Sequence, residues 1–138
     1  MPIYKFPTTL RNALGQKIID ACDAGSGSCK FKFYDGAFPA NGDTAITSQT
    51  LLGTLIATDP AAAVSGGAVT FDSITQDDAA DATGTASFCA VTDSDDVLVC
   101  YLDVTNEAGT GAVKINTVSI YAGGPIQMVS FTITMGGA

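Results

Sequence analysis

The chain begins Met-Pro-Ile-Tyr-Lys-Phe-Pro, and two prolines in seven residues oppose a helix and favour extended backbone. An extended arm is predicted over 1–8. Its large apolar side chains, Ile3, Tyr4 and Phe6, require burial, either on their own domain or on a neighbour. Beyond the arm, Leu10, Ala13, Leu14, Ile18, Ala21 and Cys22 recur at spacings of three and four, the signature of one apolar helical stripe. Arg11, Gln16, Lys17, Asp20 and Asp23 fall mainly elsewhere. Thr8 or Thr9 stands where a cap is needed and Gly25 where a helix stops, so a helix is predicted over 9–24. It is either an amphipathic cover for a sheet or a contact surface for a partner.

After the helix, period-two and short apolar runs take over. Residues 29–34 alternate Phe31 and Phe33 with Lys30 and Lys32, which reads as a strand with one buried face. Further strands are predicted over 50–57, 68–74, 85–91, 97–104, 112–116 and 125–134, with a short extra one over 117–121. Asp35-Gly36, the turn-rich stretch 37–48, Asp59-Pro60, an Ala-rich loop after it, the polar loop 75–84, 93–96, 106–111 and 122–124 separate them. Seven or eight short strands at regular spacing form the pattern of a jelly-roll-like β-sandwich. The expected fold is mainly β: one N-terminal α-helix, then a sandwich over 29–138. No interior break or repeat divides the chain, so 1–138 is expected to be a single domain.

Composition changes this picture in two ways. Charged residues are only 14% against 46% hydrophobic, well under the ~25% typical of soluble domains, which suits a surface partly covered by a partner or a small β domain rich in Thr, Ser, Ala and Gly. The net charge of −8 is also unevenly placed. Lys5, Arg11, Lys17, Lys30 and Lys32 precede residue 33 and meet only Asp20 and Asp23, whereas Lys114 stands alone against the remaining acids. Such an acidic body repels nucleic-acid phosphates, so no direct nucleic-acid partner is expected. The basic start suits an acidic protein surface, or is simply a solvated helix face. No apolar run is long enough to span a membrane and no signal-peptide pattern opens the chain, so synthesis and assembly in a cytoplasm are expected.

Candidate chemistry is sparse. The chain has no histidine, which removes Ser-His-Asp and Cys-His devices and the commonest general base. Cys22, Cys29, Cys89 and Cys100 contain no C-x-x-C spacing, so neither a zinc site nor any other metal or cofactor is expected. They are expected as free thiols, mostly small core residues, with a Cys22–Cys29 bridge open only under oxidising conditions. Asp77, Asp78 and Asp81, and Asp93, Asp95 and Asp96, could pair as acid and base. Both sets fall in predicted turns, where aspartate bonds its own backbone. Asp93-Ser-Asp-Asp96 resembles the start of a calcium loop but lacks its glycine and closing glutamate. Gly25-Ser-Gly27 and Gly109-Thr-Gly111 read as turns because neither opens a helix with a phosphate-loop pattern. The expectation is a non-enzyme.

Several segments in order are similar to a family of small tailed-phage structural proteins. They are Leu10-Arg11-Asn12-Ala13-Leu14 with Ile18 and Asp20-Ala21; Leu51-Leu52-Gly53-Thr54-Leu55; Asp81-Ala82-Thr83-Gly84-Thr85-Ala86 followed by Asp93-Ser94-Asp95; and Asn116-Thr117, Ile120, Ala122-Gly123-Gly124-Pro125 and Ser130-Phe131-Thr132-Ile133-Thr134. The resemblance spans nearly the whole chain and is carried by the joint order, because each segment is made of common residues. It implies a jelly roll and a capsid cement or decoration protein, located in the virion. Such a protein would bind the lattice of the major capsid protein and assemble with itself as a homodimer or other homo-oligomer. It brings no catalytic residues. Asp96 departs from it, standing where the family tends to have glycine, so a turn of a different type is expected there. The expected contact residues are Ile3, Tyr4 and Phe6 on the arm and Lys5, Arg11 and Lys17 on the basic side. The rival expectation is a tail or fibre component, including a host-binding module, because sandwich domains serve there too.

Overall fold

A computed structural model describes residues 2–138; residue 1 of the predicted arm lies outside them. The described chain is a mainly β, jelly-roll-like sandwich with one N-terminal helix, α1 (Thr8–Cys22). Eleven strands follow among the described residues: β1 (Lys30–Asp35), β2 (Thr50–Ile56), β3 (Ala62–Ser65), β4 (Ala68–Phe71), β5 (Gly84–Thr85), β6 (Phe88–Thr92), β7 (Leu98–Asn106), β8 (Val113–Ile115), β9 (Ser119–Ile120), β10 (Met128–Ser130) and β11 (Thr132–Thr134). They form a six-stranded sheet in the order β10-β8-β7-β6-β1-β2, a three-stranded sheet β11-β4-β3, and the small pair β5-β9.

The count exceeds seven or eight for two physical reasons. Two predicted strands change sheets midway. Residues 125–134 supply β10 to the larger sheet and β11 to the smaller, and 85–91 are likewise divided between β5 and β6. The third addition, β3, lies in the stretch read as an Ala-rich loop. It pairs with β4 through the two-residue turn Gly66-Gly67, whose φ values of 60° and 78° suit a tight hairpin. One neighbour is parallel: β8 returns alongside β7 after a short loop. Thr105 Oγ1 accepts from Gly111 N–H (3.1 Å) and the Asp103 carboxylate from Ala112 N–H (2.9 Å), which closes that loop.

Burial follows the pattern in the sequence. Phe31 and Phe33 on β1 are fully buried, while Lys30 and Lys32 point out. On β2 strict alternation would place Leu52 and Leu55 on opposite faces. A bulge opposite Phe33/Tyr34 slips the register by one, and both leucines reach the core. An aromatic triad joins the sheets. Phe31 meets Phe71 and Phe131 edge-on at 5.4 and 5.5 Å, and Phe71 stacks on Phe131 at 4.7 Å. Phe131 sits where the chain crosses from β10 to β11. On the outer face of the larger sheet, Phe88 packs against Tyr34, Phe38 and Tyr101. Tyr101 Oη–H donates to the Thr44 carbonyl, which fastens the turn-rich 37–48 stretch over that face. This cover explains why β6 is buried along its whole length.

Two local expectations are corrected. Neither Thr8 nor Thr9 caps the helix: Pro7 is the residue before it and makes no side-chain cap, while Thr8 is already helical and its hydroxyl accepts from Arg11. The turn at Asp96 is not of a different type from one built for glycine. Asp96 has φ 68°, the left-handed region that glycine favours and that aspartate tolerates better than most residues.

Candidate docking surface

The helix buries a face that is rotated from its apolar stripe and shares only Cys22 with it. Gly15, Ile19 and Cys22, spaced i, i+4, i+7, are the buried positions, and they face the β3–β4 hairpin. Gly15 makes this approach possible: a Cβ there would stand 2.7 Å from Val64 Cγ2 and 2.8 Å from Val69 Cγ2. Polar residues beside it serve the hairpin turn. The Asn12 side-chain carbonyl accepts from Gly67 N–H (2.8 Å), and Arg11 donates to the Gly66 carbonyl (3.2 Å). Each residue turns the helix by about 100°, so seating Gly15 against the hairpin rotates Leu10 and Leu14 outward. They are 42% and 44% exposed, with Ala13 and Ala21 also exposed; of the stripe, only Cys22 is buried, and Ile18 packs partly against the core.

The arm that precedes the helix adds further exposed apolar side chains. Phe6 N–H donates to the Gly137 carbonyl at 2.6 Å, and the Phe6 ring lies over Gly137 where a Cβ would overlap it. Lys5 Nζ donates to the Ala138 carbonyl (3.0 Å), and Arg11 Nε to the Phe6 carbonyl (3.3 Å). The arm is thus tied to its own body at Lys5 and Phe6. Ile3 and Tyr4 beyond these ties remain 81% and 68% exposed. Ile3, Tyr4, Phe6, Leu10 and Leu14 make up half of the large exposed apolar side chains among the described residues, all within one short stretch.

The basic residues divide differently from expectation. Lys5 and Arg11 direct their hydrogen bonds into the chain itself. Lys17 makes no side-chain hydrogen bond or ion pair with the described residues and is the cation left available on the helix. Lys30 and Lys32 lie on β1, away from the helix, and both bind Asp96, at 3.0 and 2.6 Å. Hydrogen bonds from Lys32 and then Lys30 hold the Asp96 carboxyl below its usual range. The surface is therefore apolar and aromatic more than basic. Sequence reasoning placed Leu10 and Leu14 in the stripe but did not single them out as contacts. The available signal was the second line of small and apolar residues, Gly15, Ile19 and Cys22.

Of the six aspartates considered for chemistry, Asp77 and Asp93 are occupied by backbone amides, Asp96 by two lysines and Asp78 by the Gln76 side chain. Asp93, nearly buried, accepts from Asp95 N–H and Val97 N–H at 2.8 and 3.0 Å. Asp77 accepts from Thr54 N–H and Ala79 N–H. Among the described residues no three His, Cys, Asp or Glu side chains converge as metal ligands, and no helix is long and apolar enough to cross a membrane. An open groove of about 470 Å³ between 70–74 and 128–132 has Asp72 as its one titratable lining residue. Compared with known proteins, the chain matches no family model, no curated protein and no solved structure.

Proposed function

We propose that this chain is a capsid cement protein of a tailed phage, which binds the lattice of the major capsid protein in the virion and stabilises the head. One observation carries this: the exposed apolar side chains Ile3, Tyr4, Phe6, Leu10 and Leu14, close together in the chain, on a weakly charged, acidic β body. Exposed apolar side chains gathered in this way mark an interaction site more often than chance placement does. Aromatic and aliphatic anchors of this kind carry most of the energy in protein contacts. The ordered segments similar to the phage structural family supply the partner, a capsid shell. Many identical copies on a symmetric lattice turn a modest contact into durable binding, more so if the protein self-associates as a homo-oligomer. No cofactor, nucleic acid or catalytic step enters this function.

The test is placement on the particle. Electron microscopy of intact virions bearing an affinity-labelled copy of the chain should show label distributed over the head. Label confined to the tail or fibres would overturn the proposal in favour of the tail-component reading.

A further inference from the structure

The chain has four asparagines, and one is placed unlike the rest. Asn12 lies within α1, with its side-chain carbonyl on Gly67 N–H and Ala13 after it. Asn106 ends β7 and precedes Glu107. Asn116 accepts from Gln127 N–H and precedes the β-branched Thr117. Asn41 is exposed in the turn-rich 37–48 stretch, and the next residue is Gly42. Gly42 lies outside the left-handed region, and a Cβ there would meet nothing within 4 Å. Its nitrogen therefore carries no side chain and has open space around it. The Asn41 side-chain carbonyl oxygen accepts twice, from Asp43 N–H (2.9 Å) and from the Thr44 hydroxyl (3.1 Å). Thr44 N–H donates to the Asn41 main-chain carbonyl at 3.2 Å and closes the turn. Two donors on one carbonyl oxygen stand where negative charge develops when that carbonyl carbon is attacked.

We propose that the Asn41-Gly42 turn is a modification site, where Asn41 is converted by water to isoaspartate and aspartate through a cyclic imide. Gly42 N loses its proton to a solvent base and attacks Asn41 Cγ. The new C–N bond closes the ring, and negative charge passes to the oxygen held by Asp43 and Thr44. The oxygen then re-forms its double bond, and the side-chain amide leaves with the returned proton as ammonia. Water opens the ring at either carbonyl. Attack at the side-chain carbonyl gives aspartate, and attack at the main-chain carbonyl gives isoaspartate. One water is consumed, one ammonia is released, and nothing is oxidised or reduced. The product sits in a segment tied down on both sides. Tyr101 Oη–H donates to the Thr44 carbonyl, and the Gln49 side-chain amide donates to the Ala37 carbonyl at 2.8 Å while its oxygen accepts from Thr47 N–H at 3.0 Å. Either product adds a carboxylate beside Asp43, and isoaspartate also lengthens the backbone by a methylene. The site stands whether or not α1 docks on a capsid.

The experiment incubates the full, folded chain in mildly alkaline buffer and takes samples over weeks. Each sample is digested with chymotrypsin and mapped by mass spectrometry. Isoaspartate is counted separately, by methyl transfer from a labelled donor with an isoaspartyl methyltransferase. The 35–51 peptide, which holds Asn41 and no other asparagine, should gain the mass difference between a hydroxyl and an amide NH2. It should accept methyl groups in step with that gain, while Asn12, Asn106 and Asn116 stay intact. Gly42→Ala has room for its methyl, so it should melt as wild type does, yet convert at least several-fold more slowly because the attacking nitrogen is crowded. Thr44→Val, which keeps the main-chain carbonyl that Tyr101 binds and removes one donor from the Asn41 oxygen, should convert a few-fold more slowly. An unchanged 35–51 peptide, earlier conversion at another asparagine, or aspartate without isoaspartate would each overturn the proposal. So would a wild-type rate in either Gly42→Ala or Thr44→Val.

Discussion

Replacing Gly15 by alanine should lower stability, although the same change on an exposed helix raises it. Alanine is favoured over glycine within a helix by about 1 kcal/mol. Here the added Cβ would lie 2.7 and 2.8 Å from methyl groups of Val64 and Val69. Carbon atoms pack at roughly 3.5–4.0 Å, so α1 or the hairpin must shift by close to 1 Å. Val69 is fully buried and has nowhere to go; half-buried Val64 can yield only in part. Overpacking of this kind costs about 1–3 kcal/mol, which outweighs the propensity gain and leaves a net loss of about 1 kcal/mol. The transition should move down by roughly 3–5 °C. The chain has no tryptophan, so urea unfolding is best followed by circular dichroism. Combining Gly15→Ala with Val64→Ala removes one of the two overlaps. The pair should be non-additive, with a favourable coupling of about 1 kcal/mol. A stabilising Gly15→Ala that adds simply to Val64→Ala would refute the seating of α1 on the hairpin, and with it the outward rotation of Leu10 and Leu14.

Other expectations bear on separate parts of the structure. Asp93→Ala should cost about 1–3 kcal/mol in urea unfolding, because two part-buried amides lose their acceptor, whereas Asp93→Asn should retain much of it. Asp96 is an acid whose folded pKa lies below its ordinary 3.8 because of Lys32 and Lys30. Its contribution is therefore present above the unfolded pKa and lost as pH falls through the folded one. Asp96→Asn, which keeps the left-handed backbone tolerable, should flatten the stability profile below about pH 4, and added salt should diminish the wild-type slope. Leu10→Ser with Leu14→Ser should leave the melting temperature within a few degrees of wild type, since these side chains face solvent; a loss as large as that of a buried leucine would show that they are core residues.

Much of this fold was legible because periodicity reports burial directly. Phe31 and Phe33 alternating with lysines located β1, and the helix was found within two residues at either end. What escaped depends on tertiary context. Residues 128–134 form an unbroken run, and nothing local says that Phe131 hands the chain from one sheet to the other. Ala62–Ser65 has weak strand propensity and was read as loop, although Ser65-Gly66-Gly67-Ala68 is a hairpin signal in plain view. Asp96 shows the limit of residue-type rules: an aspartate adopts the glycine conformation while its carboxylate binds two lysines across the sheet. The candidate docking surface was half legible. The arm's exposed aromatic and aliphatic character was readable from its prolines. The face that α1 presents was not, because the wider apolar stripe is the natural candidate for burial. Gly15 overrides it by allowing a closer approach on the narrower face, and Arg11 and Asn12 then serve the hairpin instead of water. The basic start likewise looked like one feature in sequence but separates in space into arm ties, one available lysine and a β1 ion-pair cluster.

The proposed cement function is tested most directly by binding to tailed-phage capsid shells assembled without this chain. Sedimentation of shells with increasing protein should give saturable binding at a fixed copy number set by lattice symmetry. Leu10→Ser with Leu14→Ser, folded and with normal melting, should lose at least tenfold in affinity. Deleting residues 2–4, which removes Ile3 and Tyr4 while leaving the Lys5 and Phe6 ties, should weaken binding further. No saturable binding of the wild-type chain would contradict the cement function itself. Equal binding by wild type and both variants would keep the function but place its contact somewhere other than the arm and the outward face of α1.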